Sequence, residues 1–305
     1  MVLRHARGKI TWIDMESPTQ EELADVMREF DIDPRVEEEI ISPTVYPLFI
    51  PFADYLYLVL HFPTAAAEGG ARNQEIDFIV GKSFIITARY EVIDSIHNLH
   101  KVFEAEELLG LPDSNLKTEI LLERIFRRLY SAIGSEIEAT AQRLERIEKG
   151  IFGGKERAMV RTISEVGRML LRFETALSRH GESLKAFVQE LATSAFFGKT
   201  FSKHAVHIEA ERAHVANLVV SYRAVAKELR DTNDSLLSTS QNEIMKVLTV
   251  IAFVTYPLTL VASVFGMNAE HMPFVGSRYD FWIIISIMIA LGITLFSFFR
   301  FKRWL

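Results

Sequence analysis

The sequence predicts an α+β domain, followed by a long helical stalk that continues into a two-helix transmembrane region. Three observations carry that reading. Residues 8–90 alternate strand-like and helix-like patterns. From about Leu116 the apolar residues keep helical spacing almost without interruption. Two charge-free apolar stretches, Val247–Phe265 and Phe281–Phe299, close the chain. The expected divisions are an α/β domain over 1–115, a helical stalk or bundle over 116–245 and a membrane region over 246–305. Within the last, helix 1 covers about 247–266, an outer loop 267–280 and helix 2 about 281–299.

In the first part, Lys9–Asp14 (KITWID) reads as a strand. Ser17-Pro18-Thr19 followed by Glu21-Glu22 reads as a helix start, with proline and acids in the first turn. The helix expected from Pro18 to Phe30 is amphipathic through Leu23, Val26, Met27 and Phe30. Phe49–Pro51 and Tyr55–His61 form a second strand region. Glu75–Val80 and Ser83–Ala88 follow, joined at Gly81-Lys82 as a hairpin. Thr64–Arg72, rich in Ala and Gly, is expected to be an exposed loop. No catalytic spacing is present here, and the acids Asp14 and Asp31 show no reason to act as a pair.

In the second part, Ile120, Leu121, Ile125, Tyr130, Ile133, Ile137, Leu144 and Ile147 follow a helical period with Arg, Glu and Lys between them. Gly153-Gly154 breaks the run. A second helix is expected over Lys155–Gly181 and a third from near Ser183, with an interruption at Gly198-Lys199. From about Thr200 the pattern runs into the membrane segment without Pro or Gly until Pro257. A helix that long needs neighbours, so a bundle or an oligomeric stalk is implied.

Composition narrows the function. Charged residues make up 24% of 305 residues and the net charge is −6. The bulk is therefore soluble in character, and no basic excess points to nucleic acid. Absence of cysteine excludes disulfide and thiolate chemistry and fits a reducing cytosolic location. Residues 1–20 lack a signal-peptide core, so membrane targeting falls to the closing spans. No nucleophile–base pair, phosphate loop or catalytic-acid motif is visible, and an enzyme is not expected.

The first closing span is not uniformly apolar. Its 19 uncharged residues, Val247 to Phe265, extend roughly 28 Å as a helix. Alternate steps of three and four pick out Asn242, Met245, Thr249, Ala252, Tyr256, Thr259, Ser263 and Gly266, nearly all of the polar or small residues. A repeat of 3.5 residues is what identical helices need to face one another along a seam. Plain helix packing would place small residues there; a wet path through an oligomeric membrane channel accounts for the hydroxyls too. Met245 and Leu248, near the cytosolic end, are candidates for a hydrophobic gate. The seam continues below the membrane through Ser238, Ser235 and Asp231, where a ring of carboxylates would attract cations at a pore mouth. Arg300, Lys302 and Arg303, with Lys246, Arg230 and Lys227, put both termini on the cytosolic side of a cell membrane.

A separate stripe, His204, His207, Glu211 and His214, occupies one face of the stalk helix. Imidazole and carboxylate form a ligand set for zinc, cobalt or nickel, although a solvated or packed polar face has the same spacing.

The run Asn242–Thr249 (NEIMKVLT), then Tyr256-Pro257-Leu258-Thr259, and Phe265-Gly266-Met267-Asn268 at the outer end of the first span, closely resemble the CorA-type magnesium transporters. The layout of the amino-terminal elements is similar to that family as well. The resemblance implies a homopentamer in lipid with a cytosolic funnel, conducting Mg²⁺, with Co²⁺ and Ni²⁺ also accepted. It implies closure when cytosolic Mg²⁺ fills sites between subunits, and a selectivity motif at Gly266, Met267 and Asn268. Met272-Pro273 matches the family's outer loop, but Phe274 stands where many members carry an acid. Glu270 is then the loop carboxylate left to attract cations. That departure, with the histidines, makes a ZntB-type zinc transporter the alternative; a membrane-anchored helical scaffold is a more distant one.

Overall fold

The computed structural model describes residues 1–65, 71–108, 117–193, 195–267 and 278–302. They divide into two compact units, Met1–Arg230 and Asp231–Leu305.

The first unit opens with strands β1 (Val2–Arg7) and β2 (Ile10–Glu16), then helices α1 (Gln20–Glu29) and α2 (Pro34–Ile41). Strands β3 (Leu48–Pro51), β4 (Tyr55–Ala65), β5 (Ala71–Gly81) and β6 (Phe84–Arg89) complete a six-stranded sheet in the order β1-β2-β6-β5-β4-β3. Only β2 and β6 pair in parallel. Helices cover both faces, which explains why Tyr55–Leu60 is buried at every position rather than at alternate ones. On one face Leu23, Val26 and Met27 of α1 and Val36 and Ile40 of α2 pack on Ile13, Met15, Tyr57, Val59, Ile79 and Ile86. On the other, Phe78 stacks on Phe126 with ring centres 5.0 Å apart.

The start of α1 is set by a capping box. The Thr19 hydroxyl accepts from the Glu22 amide and the Glu22 carboxylate accepts from the Thr19 amide. Asp33 caps α2 with Pro34 at the first helical position, a start signal the sequence reading passed over, as it did β1. Helix α3 (Asp94–Leu108) was not expected either. The β5–β6 hairpin forms, with Lys82-Ser83 as its two-residue connection rather than Gly81-Lys82, because Gly81 still belongs to β5. The loop expected over 64–72 is shorter, because β4 and β5 pair out to Ala65 and Ala71.

Three long helices follow: α4 (Thr118–Phe152), α5 (Glu156–Leu191) and α6 (Ser202–Phe265). The break at Gly153-Gly154 is present. The expected break at Gly181 is not, because Leu177 and Leu184 on either side are fully buried and hold one helix through it. The α5–α6 corner is made by Gly198 at φ +67°, a backbone conformation glycine adopts without a Cβ clash. In the first unit α6 buries Ile208, Val215, Val219 and Ala226, with Val215 against Gly134 of α4. In the second unit α6 continues to Phe265, and α7 (Asp280–Phe301) runs beside it.

Candidate functional site

The membrane-length part of α6 has two unlike sides. Val250 is 4% exposed, and Val254, Pro257, Leu258 and Val261 are partly covered. This side meets α7, where the Phe253 and Phe299 rings lie 6.2 Å apart and the Leu258 side chain fills the space beside Gly292. The seam faces elsewhere. Tyr256 is 74% exposed and Met245 61%; Asn242, Leu248, Thr259, Ser263, Gly266 and Met267 are exposed too, and Thr249 and Ala252 are half-buried. Helix α7 is equally uncovered, with Phe281, Trp282, Ile289 and Ile293 open. Both helices are long and apolar enough to cross a membrane, and both are hardly buried, unlike core helices of a soluble domain.

The two seam threonines are satisfied locally. Thr249 donates to the Met245 carbonyl at 2.7 Å and Thr259 to the Thr255 carbonyl at 2.9 Å; off the seam, Thr255 donates to Ile251. With each proton committed to its own helix, the hydroxyl oxygen presents lone pairs outward. A hydrated divalent cation presents the complementary group, water O–H. The seam is therefore an acceptor-rich strip on an otherwise apolar rod. At its end the Gly266 amide donates to the Ala262 carbonyl at 2.9 Å, and a Cβ at Gly266 would sit 3.1 Å from that same oxygen. The backbone closes there too tightly for a larger residue to fit without adjustment. Asn268 and Glu270 lie outside the described residues. Asp231 is exposed on α6, on the line of the seam.

The histidine stripe needs correction as a metal site. His204 and His207 both turn their Nδ1 atoms to the carboxylate of Glu123 on α4, His207 at 3.0 Å. Burial pushes the Glu123 carboxyl upward, and hydrogen bonds from the two imidazoles outweigh it, leaving its pKa below the ordinary value. Glu211 instead lines a cavity of about 450 Å³ with Glu106, Arg124, Arg127 and Arg128, and His214 is exposed. Among the described residues, no three His, Asp or Glu side chains group to hold one metal ion. Helical spacing correctly put the four on one side of α6; it carried no information about Glu123.

The polar groups that sequence reasoning missed lie in the α/β domain. Asp14, wholly buried, accepts from Thr87 at 2.6 Å, from Arg89 at 2.9 Å and from His100 at 2.9 Å. Trp12 stacks on His100 at 4.2 Å. Burial raises the Asp14 carboxyl; His100 and Arg89 together lower it further, so its pKa ends below the ordinary value. Asp31 takes no part: it sits after α1 at φ +53°. The one available signal was the acid that closes the run KITWID, inside strand β2.

A family model described as CorA-like Mg²⁺ transporter protein matches residues 7–303. The cobalt/magnesium transport protein CorA of Thermotoga maritima is 22% identical, covering 97% of this chain and 83% of its own. The magnesium transport protein CorA of Mannheimia succiniciproducens is 26% identical, covering 98% and 93%. Among solved structures, the complete CorA magnesium transporter of Methanocaldococcus jannaschii superposes with a TM-score of 0.81 at 18% identity, over 97% of this chain and 92% of that one. The α+β domain, the long helix and the two apolar closing helices are thus shared along the full length, and the chain belongs to the CorA-like Mg²⁺ transporter family.

Proposed function

We propose that the protein conducts hydrated divalent cations, foremost Mg²⁺ and with it Co²⁺ and Ni²⁺, through an oligomeric pore walled by the seam of α6. The observation that carries this is the exposed acceptor strip within a charge-free, membrane-length helix. Mg²⁺ sheds its water reluctantly, so a path that hydrogen-bonds the water shell moves it at less cost than one that ligates it directly. In this reading, amide oxygens of Asn268 from several copies form the outer selectivity ring. Gly266 keeps the collar narrow, and Thr259, Tyr256 and Thr249 carry the shell inward. Met245 and Leu248 close the path by dewetting. Asp231 and Glu270 concentrate cations at the two mouths. Family membership supports a pentamer in the cell membrane with both termini cytosolic, closed by cytosolic Mg²⁺ bound between subunits. A zinc transporter is the less supported reading, since His204 and His207 are engaged by Glu123.

Purified protein in liposomes tests the proposal through Mg²⁺, Co²⁺, Ni²⁺ and Zn²⁺ influx with and without internal Mg²⁺, alongside Asn268→Ala. Mg²⁺ influx that internal Mg²⁺ suppresses, and that Asn268→Ala abolishes without loss of assembly, is expected. Selective Zn²⁺ flux, or wild-type flux in an assembled Asn268→Ala protein, would overturn the selectivity argument.

A further inference from the structure

Between α5 and α6, wholly within the first unit, lies an open cleft of about 610 Å³. Its walls are unusually cationic for a chain with net charge −6. Arg223, Lys227 and Arg230 recur at four- and three-residue steps on one face of α6, and Arg168 faces them from α5. The cleft has one carboxylate, Glu174, and it is committed to Arg223. Arg168, Lys227 and Arg230 make no ion pair with any described residue.

The floor is different in character. Ile163 and Leu171 supply an apolar base, and Gly167 leaves it open, since a Cβ there would meet nothing within 4 Å. An apolar floor below converging guanidinium and ammonium groups suits a ligand with a flat organic part and a polyanionic tail. Guanidinium forks match phosphate oxygens bidentately, and the lysine adds a point charge. The volume falls within the range of small-molecule sites, roughly 300–1,000 Å³. In sequence Arg230 precedes Lys246, the last charge before the apolar span, by sixteen positions, so the cations of the cleft are not the ones that flank that span.

We propose that this cleft binds a soluble polyphosphate of nucleotide size, the phosphates on Arg168, Lys227 and Arg230 and the base over Gly167. The proposal stands apart from the ion pathway and does not depend on it.

The test is calorimetric titration of the full-length detergent-solubilised protein at low salt, with ATP, inorganic pyrophosphate and adenosine as sodium salts or free base. EDTA is present throughout, so that the anions' own affinity for Mg²⁺ is not read as binding. ATP should bind, pyrophosphate more weakly and adenosine not measurably, with the ATP affinity falling as NaCl rises. The triple variant Arg168→Gln/Lys227→Gln/Arg230→Gln should lose about tenfold or more for both anions, because charged hydrogen bonds are removed. Gly167→Leu keeps every charge and fills the floor, so it should weaken ATP far more than pyrophosphate; melting curves confirm that both variants fold. Pyrophosphate binding as tightly as ATP, unaffected by Gly167→Leu, would overturn the nucleotide assignment. No binding of either anion at about 1 mM, a hundredfold weaker than a common 10 μM site, would overturn the site, as would undiminished binding by the triple variant. Anionic-lipid vesicles competing off ATP would identify the cleft as a headgroup site and overturn the soluble ligand.

Discussion

His180 provides a sharp test of how the helical layer is tied to the sheet. It is wholly buried on α5, where its Nε2 donates to the His61 carbonyl of β4 at 2.9 Å and its Nδ1 accepts from the Tyr130 hydroxyl of α4 at 3.1 Å. Both ring nitrogens are thereby satisfied in the neutral form, and a proton at Nδ1 would face a hydroxyl already donating to it. Burial, above all, pushes the pKa from an ordinary 6.5 to about 4. A histidine depressed in this way binds fewer protons folded than unfolded between those values. Its stabilising contribution is complete above about pH 6.5 and is lost as pH falls towards 4. The linkage integral gives a loss of about 2 kcal/mol by pH 5 and about 3 kcal/mol by pH 4. His61, whose pKa is raised by its bonds to Glu75 and Thr44 against its burial, titrates in the opposite direction. Comparison with His180→Gln cancels it, because both proteins retain His61. Urea midpoints of the two proteins at pH 7.5 and pH 5 should show the wild-type advantage shrinking by about 2 kcal/mol. An advantage that does not change with pH would refute the account of a neutral, fully bonded imidazole.

Two further outcomes follow from the buried and half-buried charges. Arg89→Met leaves Asp14 buried without its main cation and should cost about 3 kcal/mol in denaturation, with part of the loss restored by adding Asp14→Asn; an additive double variant would deny the coupling. Zinc should give the same melting shift in wild type and in His204→Ala/His207→Ala/His214→Ala, because the first two histidines serve Glu123; a zinc-specific shift lost in the variant would restore a metal site there.

How far the sequence could be read depended on the range of the interactions involved. The span Val247–Phe265, the corner at Gly198 and, to within one residue, the hairpin between β5 and β6 were legible because absence of charge, a left-handed glycine and a tight strand reversal are local properties. The continuous helix through Gly181 was not, since what carries it is the burial of Leu177 and Leu184 against elements remote in sequence. The same limit applies to polar groups. Asp14 meets Arg89 and His100 across 75 and 86 residues, and His204 meets Glu123 across 81. Periodicity correctly separated the seam of α6 from the face that meets α7, because both are properties of one helix.

Cysteine accessibility along α6, read together with ion flux, tests the pore most directly, and the chain's lack of native cysteine makes each introduced thiol the sole target. Single cysteines at Thr249, Tyr256, Thr259 and Ser263 in liposome-reconstituted protein should react with a small charged thiol reagent and lose Mg²⁺ flux on reaction, faster when internal Mg²⁺ is low. Cysteines at Val250, Val254 and Val261, on the side that meets α7, and at Ile251, off the seam, should stay unmodified, since thiolates form poorly in apolar surroundings. Equal labelling around the helix, or labelling confined to Ile251 and Val254, would contradict a cation path along this seam.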